Sequence, residues 1–163
     1  MMKTTYTVST PLALTGCKNM RDLGGYPCQN GRVTAKSRFY RADCLSKLTE
    51  EDIALLQDLN VGCVIDLRHD HETGSAKNPL AGREGFAYYN ISLIDGIQSQ
   101  GMQGLMPESL AKMYVALVDG AGESICSIMR IFLAHADTAV VFHCTAGKDR
   151  TGLAAALIPT TLG

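Results

Sequence analysis

The stretch Val140-Val141-Phe142-His143-Cys144-Thr145-Ala146-Gly147-Lys148-Asp149-Arg150-Thr151-Gly152 decides how this chain reads. An apolar, β-branched run ends in His143-Cys144, a short loop leads to Arg150, and Thr151-Gly152-Leu153-Ala154-Ala155-Ala156-Leu157-Ile158 follows. The pattern predicts a strand, a loop and a helix. A loop that feeds a helix N-terminus turns backbone N–H groups inward and suits an anion. A thiol at its base, among oriented amides and an arginine, is biased towards thiolate. Arg150 offers a planar fork for two oxygens, and Gly147 allows the backbone of a tight loop. The spacing describes a phosphate-sized cradle with Cys144 at its floor.

Other readings fit less well. A cysteine after a strand is often an inert, buried small hydrophobe, but here glycine, arginine and threonine follow at set positions. A nucleotide-binding loop around Gly147-Lys148 needs glycine at 142 and Ser or Thr at 149, where Phe142 and Asp149 stand. A sulfurtransferase also uses a cysteine loop, but the Arg150-Thr151-Gly152 ending does not suggest one. The run His143 to Gly152 resembles the signature loop of cysteine-dependent phosphatases. Its Gly147-Lys148-Asp149-Arg150 version resembles the bacterial tyrosine-protein phosphatase family. Asn19-Met20-Arg21-Asp22-Leu23-Gly24-Gly25-Tyr26, Tyr40-Arg41-Ala42, and Asp66-Leu67-Arg68 with Glu72 fit that family too. Met20 stands where relatives carry phenylalanine.

The resemblance implies hydrolysis of phosphotyrosine, or of phosphoserine/threonine or phosphoinositides, through a phosphocysteine, with no metal and no cofactor. Cys144 is then the nucleophile. Arg150 and the backbone of Thr145, Ala146, Gly147 and Lys148 hold the phosphate oxygens. Lys148 adds charge at the rim, Thr151 donates to the thiolate, and His143 orients the loop. Asp22 fixes backbone beside the site. The leaving oxygen needs a proton. The resemblance favours Asp149 as donor, while Asp95 matches the separate acid loop of the wider superfamily. The alternative from another class is a catalytically silent module that binds a phosphorylated partner.

Length and composition bound the rest. The chain has 163 residues, which reads as one domain over 1–163. Apolar residues make up 46% and charged residues 19%, ordinary for a globular protein. A net charge of −1 gives no broad basic field for nucleic acid. The partners expected are a phosphorylated protein or a phosphoinositide. Cys17, Cys28, Cys44, Cys63, Cys126 and Cys144 form no Cys-x-x-Cys pair, so no zinc or redox dithiol is indicated. Several fall in apolar runs, which suits reduced thiols and a cytoplasmic protein, although the family includes secreted members. Leu14-Thr15-Gly16-Cys17 is similar to a lipoprotein cleavage box, but no apolar h-region precedes it. No segment is long and apolar enough to span a membrane.

In chain order, Asn30-Gly31 marks a hairpin turn and residues 38–41 a short strand. Thr49 and Asp52 nearly spell a capping box. It opens a helix to about Asn60, with Ile53, Leu55, Leu56 and Leu59 inward and Gly62 ending it. Residues 61–67 read as a parallel strand covered on both faces. Residues 68–82 read as a polar loop, and the two histidines of His69-Asp70-His71-Glu72 read as surface residues rather than metal ligands. Residues 86–93 read as another strand, and 94–106 as a lid. A helix opens at Pro107, with Leu110, Met113, Tyr114, Leu117 and Val118 on one face. A second helix carries Ile125, Ile128, Met129, Phe132 and Leu133. Alternating strands and helices predict an α/β fold, a central, mostly parallel sheet flanked by helices, with the site at the strand C-termini. The helix after Arg150 is apolar on nearly every face and stops at Pro159. Relatives continue with further helices there, so the expectation is a chain lacking them, or one whose missing side a partner subunit covers, with the isolated chain dimerising or aggregating through this helix.

Overall fold

The computed structural model describes residues 9–28, 31–93, 115 and 118–161. Five strands form one sheet in the order β1-β2-β5-β3-β4: β1 Arg21–Asp22, β2 Phe39–Ala42, β3 Val61–Asp66, β4 Ala87–Asn90 and β5 Ala139–His143. All neighbours pair in parallel except β1 with β2. The helices are α1 Glu50–Asp58, α2 Asp70–Ser75, α3 Gly122–Ala134 and α4 Asp149–Thr161. The mostly parallel α/β sheet expected from the sequence is the one observed.

Apolar runs produce this sheet because both faces are covered. Tyr40, Val64 and Val141 face α1 and the segment around Leu14, Cys17 and Met20. Cys63, Ile65, Val140 and Phe142 face the opposite way, towards Ile128 and Phe132 of α3 and Ala154 and Ile158 of α4. Phe132 packs edge-on to Phe39 with ring centroids 4.9 Å apart and tilted to Phe142 at 5.8 Å. Burying each such ring is worth about 1.5–3 kcal/mol. Helix α1 starts at the Thr49 N-cap, with a complete capping box to Asp52.

Beside the turn expected at Asn30-Gly31, Pro27 bridges Val33 antiparallel and Gly31 takes φ +76°, while Asn30 lies outside the described residues. Several sequence expectations are corrected. Leu55 is exposed, because α1 turns the face carrying Asp52, Ile53 and Leu56 inward. Gly62 does not end that helix. Asn60 does, at φ +57°, and Gly62 lies inside β3, where a Cβ would meet the Thr138 side chain at 2.9 Å. The segment 68–82 is not simply a loop, since His69 caps the short helix α2 with Glu72 completing a capping box. Leu133 is exposed, the inward stripe of α3 being carried by Ile128 and Phe132. Pro159 does not stop α4, which runs on to Thr161. A proline cannot donate to the carbonyl four residues back, and Thr160 Oγ1 instead donates to Ala156 O and Leu157 O.

Among the described side chains of α4 only Thr151, Ala154 and Ile158 are fully buried, and Ala156 is exposed. The lid expected over 94–106, with Asp95, lies outside the described residues. So does most of the helix expected from Pro107. Of that helix, Val115 and residues 118–120 are helical, and Val118 is exposed rather than inward. Among the described residues no helix is long and apolar enough to cross a membrane.

Candidate active site

The central strand β5 ends between the C-terminal edges of β2 and β3, so its loop emerges at the middle of the sheet. In parallel sheets that crevice is where ligands bind. Residues 144–148 form the loop and Asp149 begins α4, with Gly152 N donating to Lys148 O at 2.7 Å in the first helical turn. Gly147 takes φ +65°, and a Cβ there would lie 2.5 Å from Ala42 O. Glycine is required on both counts.

Cys144 lies buried at the loop's floor. Thr151 Oγ1 donates to its sulfur at 3.1 Å. Burial opposes the charged thiolate. The Thr151 hydroxyl and N–H, the charge of Arg150 and the Gly147 N–H outweigh it, so the thiol is held below its usual pKa. Cys17 and Cys63 show the contrast, each pushed up to about 12, chiefly by burial.

Arg150 is fixed by Glu72. Nη1 donates to Oε2 at 2.6 Å and Nη2 to Oε1 at 2.9 Å. The Thr145 hydroxyl also donates to Oε1, at 2.5 Å. The same carboxylate accepts the His69 N–H at 3.1 Å as part of the α2 cap. Hydrogen bonding from Arg150 is the chief cause that lowers Glu72 to about 2. The resemblance included Glu72 without giving it a role, and the structure places its carboxylate against Arg150 and Thr145. An arginine has five N–H donors, so a bidentate carboxylate leaves three for an anion.

Beneath the loop lies a buried polar cluster. His143 Nε2 is 3.0 Å from Asn78 Nδ2 and 3.3 Å from Asp66 Oδ2, while Nδ1 is 3.2 Å from Cys144 O. Asp66 accepts from Arg68 Nε at 2.9 Å, Arg68 Nη2 at 2.7 Å and Tyr88 OH at 2.9 Å. Burial raises the Asp66 carboxyl, but the bonds from Arg68 and His143 win and hold it far below the usual range. A buried carboxylate without such partners would be costly.

The remaining sequence candidates fall as follows. Thr145, Ala146 and Lys148 are exposed at the loop's rim, and Asp149 is half-buried in the first turn of α4. Asp22 accepts from Gly24 N and Ser37 N, both at 2.9 Å. Asp95 lies outside the described residues. Among the described residues, no group of His, Cys, Asp and Glu is placed to hold a metal. Contacts with no assigned role in the sequence also reach the loop. Asn19 and Arg41 donate to its carbonyls, and Asp43 binds the backbone of Lys18 and Asn19. Asn19 and Arg41 lie in stretches that carried the resemblance, and Asp43 directly follows one. Asn78 and Tyr88 gave no signal in the sequence.

A buried, activated cysteine under an arginine-capped helical loop defines the class of cysteine-loop phosphate sites. The sequence model described as the tyrosine phosphatase family matches residues 12–163, and the chain belongs to that family. It is 37% identical over 123 residues to a tyrosine-protein phosphatase of Nostoc commune, covering 74% of this chain and 42% of that protein. It is 32% identical over 161 residues to a Cupriavidus necator protein provisionally named a tyrosine-protein phosphatase, covering 93% of this chain and 58% of that protein. The chain thus spans about half the length of these curated relatives.

Proposed function

We propose that this protein hydrolyses phosphomonoesters, phosphotyrosine first, through a phosphocysteine on Cys144. Phosphoserine/threonine and phosphoinositides are the other substrates to be compared. The Cys144 thiolate attacks phosphorus and the ester oxygen leaves. Asp149 supplies the proton to that oxygen, with Asp95 as the competing donor. Arg150, kept in place by Glu72, and the loop amides stabilise the equatorial oxygens as charge redistributes. Water then attacks the phosphocysteine and releases phosphate. Thr151 steadies the thiolate before attack and after release.

The observation that carries this reading is Cys144 itself, buried yet biased to thiolate by Thr151, Arg150 and Gly147. Cys144→Ser tests it. Turnover of an aryl phosphate should vanish while phosphate or vanadate still binds, because the cradle survives. A silent phosphate-binding module would show the same binding but no turnover in the wild type either.

A further inference from the structure

The loop is gripped from outside by side chains the proposed chemistry does not use. Arg41 of β2 donates from Nη2 to Gly147 O at 2.7 Å and to Lys148 O at 3.3 Å. Asn19 donates from Nδ2 to Ala146 O and Gly147 O, each at 3.4 Å. Arg21 donates from Nη2 to Asn19 Oδ1, which turns the Asn19 amide nitrogen towards the loop. The carbonyls of residues 146 and 147 are therefore drawn outward, while that of Lys148 is shared with the Gly152 N–H of α4. A planar trans peptide points its N–H opposite to its C=O. The amides of Gly147 and Lys148 are thereby turned to the cradle, and that of Gly147 reaches the Cys144 sulfur.

The grip is held at a cost. Arg21 and Arg41 are register partners on antiparallel strands, where like charges repel. Among the described residues neither is paired with a carboxylate. The Nε of each is buried without a hydrogen-bond partner among them. Two such arginines are a poor choice for stability alone.

We infer that Arg41, assisted by Asn19, is a positioning residue that sets the inward direction of the loop amides. It thereby sets the thiolate state of Cys144 and the grip on phosphate, without touching substrate. Its kinetic consequence rests on the phosphocysteine reading, whereas its effect on the thiol does not. Iodoacetate labelling of Cys144 across pH, read by peptide mapping, tests it in the wild type, Arg41→Met, Arg41→Lys and Asn19→Ala. Inorganic phosphate serves as protectant, and thermal unfolding is recorded alongside. Arg41→Met should label on the order of tenfold more slowly at mildly acidic pH, the loss that one pKa unit makes in thiolate, and phosphate should protect it less. Arg41→Lys should follow it, since a point charge does not replace the fork. Asn19→Ala, which leaves the Arg41 fork in place and serves where Arg41→Met fails to fold, should move the same way by less. A wild-type labelling profile in Arg41→Lys or Asn19→Ala overturns the inference. So does an Arg41→Met that melts lower yet labels and is protected like the wild type. Failure of the phosphocysteine reading shows separately, as turnover by Cys144→Ser.

Discussion

Gly147→Ala perturbs the cradle at its tightest point. The added methyl would lie 2.5 Å from Ala42 O and 2.7 Å from Ala42 C and Asp43 N, at φ +65°. The left-handed backbone costs an L-residue about 1–2 kcal/mol. Ordinary contact begins at 3.4 Å, so the loop must withdraw by about 0.9 Å. The opposing atoms are backbone at the end of β2, next to the centre of the sheet, and do not yield. Overpacking of this kind adds about 1–3 kcal/mol. The sum, roughly 2–5 kcal/mol, leaves most domains folded. A displacement near 1 Å in positioned groups lowers kcat/KM by about 100-fold. Urea unfolding gives the first quantity, and kcat/KM on an aryl phosphate, corrected for the folded fraction, gives the second. A folded variant with kcat/KM within threefold of the wild type would refute the tight packing of this loop on β2.

Two further outcomes are expected. Asp149→Asn should slow poor leaving groups far more than an activated aryl phosphate, and leaving-group series on Asp149→Asn and Asp95→Asn compare the two donors. If only Asp95→Asn shows the pattern, the assignment moves to Asp95. Asp52 accepts the amides of Thr15 and Gly16 at 2.8 Å and of Thr49 at 3.0 Å. Burial raises its carboxyl, but these bonds win and hold it below the usual range. Its contribution is therefore full above the ordinary carboxylate range and is lost as pH falls below it. Asp52→Asn should cost roughly 2–4 kcal/mol near neutrality. The gap from the wild type, followed by urea unfolding against pH, should close in acid, and a pH-independent gap contradicts the role.

The loop and sheet were legible because their signals are local. A β-branched run, a cysteine and an arginine at set spacing, and the Thr49–Asp52 cap each act within a few residues. What stayed hidden is long-range. Glu72 belonged to the resemblance without a role, because nothing nearby in the chain shows that its partner is Arg150. Arg41 sat in a recognised stretch, yet its target carbonyls lie over a hundred residues away. Leu55 and Leu133 matched a helical period, but a pattern cannot say how wide a face the sheet covers. Pro159 reads as a stop, although near a helix end only one bond is lost and Thr160 serves the neighbouring carbonyls.

The central claim is that phosphate passes through the Cys144 sulfur. Acid quenching during turnover of an aryl phosphate, followed by mass spectrometry of the peptide containing Cys144, tests it directly. The thiophosphate ester is predicted on Cys144, accumulating further when its hydrolysis is slowed, and absent from Cys17, Cys28, Cys44, Cys63 and Cys126. Steady turnover with an unmodified Cys144 at every quench time, and activity retained in Cys144→Ser, would contradict the account.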